Sequence, residues 1–131
     1  MKEISFAWTT PALVTGHKTV TRREWQDDYA HRFHAGDPVT ALDRERRYKG
    51  QPVGLLRLTA EPELQQTDDA PKTDYVAEGF LYLDWLNEKV DGLTPQALWR
   101  AWSKTPRFLW VVRFELVRLS PYGEELRGRY P

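Results

Sequence analysis

The densest run of side chains able to do chemistry is Thr15-Gly16-His17-Lys18-Thr19-Val20-Thr21-Arg22-Arg23. Lys18, Arg22 and Arg23 supply cations for a phosphate or a carboxylate, and Gly16 permits close backbone approach. The run is not a P-loop, because it lacks the paired glycines at P-loop spacing. If residues 19–23 are extended, Thr19, Thr21 and Arg23 point one way and Val20 and Arg22 the other. Lys18 then sits in the turn, where the preceding glycine lets it face Thr21. Residue type alone fits an exposed basic hairpin as well as a ligand cleft.

Arg44, Arg46, Arg47 and Lys49 form a second basic group inside the polar stretch 43–51. Such a loop is either a solvated hairpin tip or a clamp on backbone phosphates. Of the six tryptophans, Trp8 and Trp25 flank the lysine run and could stack on a base, whereas Trp102 and Trp110 sit at positions suited to a core. His31 and His34 can share a helical turn with Asp27, but three residues without a fourth ligand do not make a metal site, and none is expected.

These residues need elements to position them. Residues 3–8 read as an opening strand, and Thr9-Thr10-Pro11 as a helix start that Gly16 ends. Residues 19–23 are β-branched and basic, hence extended; residues 26–33 fit a brief helix closed by the Gly36-Asp37-Pro38 turn. Residues 39–42 and 53–58 read as strands, and the polar stretch 65–72 as an exposed connection. A tryptophan-rich helical segment at about residues 75–105 follows, interrupted at Gly79 and restarted at Thr94-Pro95. Residues 108–119 alternate as a long strand, and the tail from Ser120 is polar and turn-rich. Strands at both ends, short strands between them and helices inserted in two places make an α+β domain, for which closure into a small barrel avoids open edges.

At 131 residues, with 40% hydrophobic and 29% charged, the chain has the composition of one globular domain. There is no cysteine, which excludes a disulfide framework and a thiolate metal site. No stretch approaches the ~20 apolar residues of a membrane span, and a cytoplasmic location is expected, without membrane partners. Net charge is zero but uneven: ten basic and seven acidic side chains in residues 1–60, two and nine in 61–91, seven and three in 92–131. A basic face from the two ends, with the acidic middle turned elsewhere, would suit a polyanion; mixing of the charges in space is the alternative.

The spacing Gly16-x-Lys18-x-x-Thr21-x-Arg23, after a strand and a short helix, resembles the signature of the ASCH domain, a family of the PUA-like superfamily. Gly36-Asp37-Pro38-Val39 resembles its turn into a barrel strand, Ala77-Glu78-Gly79-Phe80 its helix-borne acidic motif, and the segment from Trp110 to Leu116 its closing strand. In this order the features span residues 4–119. The resemblance implies a single domain over residues 1–131, a small PUA-like β-barrel with flanking helices, and a cleft beside residues 16–23 and Glu78. It implies RNA or a modified nucleoside or nucleotide as ligand, with Lys18, Arg22, Arg23 and the basic loop on phosphates, and no cofactor.

One small bacterial member of the family hydrolyses the amide of 4-acetylcytidine with a lysine as proton acceptor, a threonine three residues on as nucleophile and a later glutamate as proton donor. Matched by motif, these are Lys18, Thr21 and Glu78, with Arg23 orienting the ligand or stabilising the oxyanion. A lysine desolvated in a cleft can lose its proton near neutral pH and activate a hydroxyl. Two expectations follow: an RNA- or nucleotide-binding module, and an amidohydrolase of an acylated nucleoside.

Overall fold

The computed structural model describes all 131 residues. Its strands, in chain order, are β1 (Lys2–Ser5), β2 (Val20–Arg23), β3 (Pro38–Leu42), β4 (Pro52–Leu58), β5 (Glu63–Gln66) and β6 (Phe108–Leu119). The alternation read in residues 108–119 becomes the 12-residue β6, on which the sheet is built. Strands β2, β4 and β5 all pair with it antiparallel. Beyond β4 lie β3, antiparallel, and then β1, parallel to β3. The path β1-β3-β4-β6-β2 curls into a half-barrel whose two ends, β1 and β2, do not pair with each other.

Six helices flank the sheet: α1 (Thr10–Val14), α2 (Asp27–Ala30), α3 (Thr73–Ala77), α4 (Phe80–Trp85), α5 (Pro95–Lys104) and α6 (Pro121–Arg127). The fold is therefore α+β, as the order of patterns implied. Inward positions of the strands, among them Ile4, Val39, Leu56, Val112 and Phe114, close on Leu13, Val14 and Phe33 to form the main core. A second, smaller core lies beneath the helices: Ala12, Phe80, Leu83 and Val90 are buried, with Trp99 and Trp102 packed against them. No helix is long and apolar enough to cross a membrane.

Two segments depart from the sequence reading. The polar connection of residues 65–72 begins inside β5, which pairs Glu63 with Val111 and Gln66 with Phe108. Its side chains are exposed or half-buried, so backbone pairing alone makes it a strand. The turn-rich tail is the helix α6. Pro121 stands in its first turn, Ser120 Oγ accepts from Gly123 N (3.0 Å), and the same hydroxyl donates to Pro52 O (2.8 Å). The signal was that of α5, where Thr94 caps and Pro95 opens the helix.

Because Ser120 both caps α6 and ties it to β4, Ser120→Ala should destabilise the chain by ~1–2 kcal/mol in urea unfolding. An unchanged midpoint would show that α6 is held by packing alone.

Candidate functional site

The site begins with a turn. His17 and Lys18 both donate their backbone N–H to Ala12 O (2.8 and 3.0 Å), and Thr19 N donates to Ala77 O (2.8 Å). Gly16 makes this reversal at φ +81. The turn is thereby pinned to α1 on one side and to the end of α3 on the other. At that end, Gly79 has φ +85, and a Cβ there would stand 2.5 Å from Ala12 Cβ and 3.3 Å from Lys18 Cβ. Only glycine lets the α3–α4 junction press this closely on the lysine.

Glu78, which ends α3, is thus delivered to Lys18. Lys18 Nζ donates to Glu78 Oε1 at 2.8 Å and to the Glu78 carbonyl at 3.0 Å. Arg22, from β2, donates to the other carboxylate oxygen at 2.7 Å. Asp74 lies one helical turn before Glu78 on the same face. Arg22 reaches it too (2.5 Å), and Arg113 of β6 grips it with two bonds, at 3.0 and 2.9 Å. Side-chain exposure is 2% for Lys18, 1% for Arg22, and 3% each for Asp74 and Glu78, so these four are buried, whereas Arg113 reaches in from the surface at 40%.

Burial, opposed by Glu78, lowers the Lys18 pKa, and the nearby Arg23 and Arg22 lower it further. Burial also disfavours the Asp74 carboxylate, but hydrogen bonds from Arg113 and Arg22 outweigh it and hold the carboxyl below its ordinary value. Burial brings Arg23 down to about 10, still charged at neutral pH.

Beside the cluster opens a cavity of about 310 Å³. Lys18, Thr21, Arg22, Arg23 and Glu78 are among its lining residues. Thr21 and Arg23 share a face of β2, as alternation required: Arg23 Nε donates to Thr21 Oγ1 at 3.1 Å. Phe80, Val90, Leu98 and Trp102 supply apolar lining, with the Lys18 amine 5.9 Å from the Phe80 ring centre and the Arg22 guanidinium 5.7 Å from that of Trp102. The arrangement offers a buried amine, a hydroxyl and a guanidinium to one small ligand, next to an aromatic wall.

Sequence reasoning placed Lys18, Thr21, Arg23 and Glu78 together, and the structure brings them to one cavity. Other expected contacts are redirected. Arg22 was expected on phosphates; its guanidinium instead meets Glu78, Asp74 and Gln65. The acidic middle segment is accordingly not turned elsewhere, because its Asp74 and Glu78 neutralise cations from both ends of the chain. Trp25 stacks on Phe33 (4.5 Å, 18°) and is not in the cavity lining. Gly16 shapes the turn without lining the cavity. Trp110 is buried, as expected of a core residue, but Trp102 is half-buried and lines the cavity.

The basic loop is mostly neutralised. Arg46 pairs with Glu3 (2.7 Å), Arg47 with Glu45 (2.5 Å), and Lys49 is exposed. Its contribution to the cavity is acidic, Glu45. Arg44, Trp8 and Tyr48 line a second cavity of about 400 Å³, which adjoins the first at Ala7. Trp8 and Tyr48 are 59% and 61% exposed there, and Ala7 takes the left-handed φ of +42 between them and the first cavity. Asp74, Arg113, Glu45 and the apolar wall were not found from sequence. The spacing of Asp74 and Glu78 four apart on a helix was the available signal for the first.

No family model matches the chain. No curated protein matches it either. Among solved structures, it is similar in fold to the protein EF3133 from Enterococcus faecalis V583, which carries the family description DUF984. The TM-score is 0.59 over 92% of this chain and 83% of that one, at 18% identity. The likeness supports the fold assignment.

The depressed Asp74 pKa has a sign that can be checked. It contributes stability that is fully present above the unfolded carboxyl value of about 4 and is lost as pH falls through the lower folded value. Asp74→Asn leaves Arg22 buried with a single anion, so at neutral pH it should lower unfolding stability by ~3–5 kcal/mol. The gap between wild type and variant should narrow as pH drops below about 4, because the wild-type carboxylate is then itself protonated. A gap that stays constant between pH 7 and 3 would contradict the ion-pair account.

Proposed function

We propose that the chain is an ASCH-type amidohydrolase that cleaves the acyl group from the exocyclic amine of a nucleoside-sized ligand such as 4-acetylcytidine. The observation that carries the reading is the enclosure of Lys18. Its amine is buried against Glu78, burial lowers its pKa, and it lines a cavity with Thr21 and Arg23. The cavity volume of about 310 Å³ falls at the small end of ligand sites, which fits one nucleoside better than a folded RNA. The resemblance of residues 16–23 and 77–80 to the family motifs supports the same roles.

In this reading Thr21 Oγ attacks the amide carbonyl while its proton passes to the neutral Lys18 amine. Arg23, held beside the threonine, meets the developing oxyanion. Both oxygens of Glu78 accept hydrogen bonds, from Lys18 and Arg22, so its proton traffic runs through Lys18. The C–N bond breaks, the departing amine takes the proton from Lys18, and an ester remains on Thr21. Water then attacks that ester, gives a proton to Lys18, and the proton returns to Thr21 as the carboxylic acid leaves.

A second reading, a binding module for single-stranded RNA or a nucleotide, rests on the other cavity. Trp8 and Tyr48 are exposed there beside Arg44, and the Arg47 guanidinium lies 5.0 Å from the Tyr48 ring centre. Exposed aromatics with cations are what base stacking uses. It predicts salt-sensitive binding of short single-stranded RNA that Trp8→Ala weakens; equal filter retention of wild type and variant would remove it.

Incubation with 4-acetylcytidine should release cytidine and acetate. Thr21→Ala should lower kcat by roughly 10²–10⁴-fold without loss of fold, and Lys18→Met, which keeps the buried stem but not the amine, should do the same at a cost in stability. Since the working form of Lys18 is the free amine and burial lowers its pKa, the rate should rise with pH and level off below the ordinary lysine value of about 10.4. No cytidine from folded protein, or a rate that keeps climbing beyond pH 11, would overturn the assignment of Lys18 as base to this substrate.

A further inference from the structure

Arg23 is the one cation of the cavity lining that meets no carboxylate. Lys18 pairs with Glu78, and Arg22 with Glu78 and Asp74. Both acids of the lining are already committed, Glu78 to those two cations and Glu45 to Arg47. Arg23 donates only to neutral oxygens, through Nε to Thr21 Oγ1 and through Nη2 to Ser5 O. A guanidinium carries five N–H donors, so those on Nη1 are left over. Nη1 is not sealed away, because the indole nitrogen of Trp110 is the only enclosed side-chain N or O without a hydrogen-bond partner. The plane of the group is set by its two bonds and by Phe6, whose ring centre lies 5.4 Å from the guanidinium carbon. Beside it, Thr21 Oγ1 accepts from Arg23 and bonds its own proton to no protein acceptor.

We infer that Arg23 Nη1 and the Thr21 hydroxyl form a carboxylate site, and that the cavity binds a small monocarboxylate there. The inference rests on the amidohydrolase reading only for the source of that acid, which is the product released from the ester on Thr21. A carboxylic acid is ionised at neutral pH, its ordinary value being about 4. Hydrolysis therefore creates the charge that Arg23 lacks. A planar carboxylate matches the fixed edge of a guanidinium, and bonds between the two charged groups are stronger than those to neutral acceptors. A phosphate dianion fits less well: one cation is uncommitted, and the carboxylates of Glu45 and Glu78 share the lining. A neutral amide leaves Arg23 without a counter-charge. The site thus holds the acid in preference to the amide it came from, and the product competes with substrate for the cavity.

In nitrogen-15-labelled protein the Nε–H resonance of Arg23, assigned through Arg23→Lys, reports on the site directly. Sodium acetate should move it, together with the Thr21 amide, along a saturating curve. Sodium chloride at equal ionic strength should leave both in place, and inorganic phosphate should move them less. Arg23→Gln should raise the Kd for acetate, followed at the Thr21 amide, at least about tenfold. Should the variants fail to fold, the resonances are assigned through the backbone and the wild-type titrations decide alone. The inference is overturned if acetate leaves Arg23 unmoved, or if chloride or phosphate moves it as strongly. Its failure is separable from that of the catalytic reading. Acetate bound at Arg23 by a protein that releases no cytidine from 4-acetylcytidine sustains the carboxylate site and removes the hydrolase; cytidine released by a protein whose Arg23 ignores acetate does the reverse.

Discussion

Glu78 is a carboxylate with almost no water around it, and the arrangement of the whole site follows from that. An ion moved into a protein interior loses several kcal/mol of hydration even after relaxation, and only good geometry on every lone pair offsets it. Here one oxygen takes Lys18 and the other Arg22. Satisfying Glu78 in this way fixes the turn after α1, which carries Lys18, and the face of β2, which carries Arg22. It also fixes the glycine at position 79, since any side chain there would push the α3–α4 junction off the lysine. Arg22 in turn has donors left over, and Asp74 takes them together with those of Arg113 on β6. Two buried carboxylates therefore tie α3 to β2 and to the central strand β6.

Stability alone does not account for such a cluster. Buried ion pairs are commonly replaceable by apolar groups of similar volume at little or no loss, whereas removing one partner is severely destabilising. A chain that needed only to fix helix to sheet could do so with the Phe80–Leu83 kind of packing that it already has. What apolar packing cannot supply is a buried lysine lining the same cavity as a hydroxyl, with its proton affinity set by burial and by surrounding charges. Perturbed groups facing a cavity are the pattern of a working site.

Much of the frame was legible because it is local. Period-two alternation gave β6 to its end residues, the hydroxyl–proline pair gave the start of α5, and Gly16 and Gly79 marked two changes of direction. The alternation of β2 also placed Thr21 with Arg23. Features set by distant pairing stayed hidden. Strand β5 has neither alternation nor β-branched content, and it exists because the edge of β6 is there to pair with. Asp74 meets an arginine 52 positions away and another 39 away, and a charge count along the chain could not see either meeting. Trp102 read as core by type. Half of it is core, against Phe80 and Trp99, and the rest is cavity wall.

The position of the cavity follows from how the sheet ends. Strands β1 and β2 terminate the path without a ladder between them, so polar backbone at that seam needs partners from side chains. Arg23 provides one: from the last position of β2 it donates to Ser5 O, the last residue of β1. In doing so it lays its Nε against the Thr21 hydroxyl. A fully closed barrel would have bonded Ser5 O within a ladder and left Arg23 free to turn into solvent. The unclosed seam instead holds a cation against the threonine in the lining of the cavity, to which α4 and α5 contribute Phe80 and Trp102. The incomplete barrel and the buried ion cluster are one structural solution.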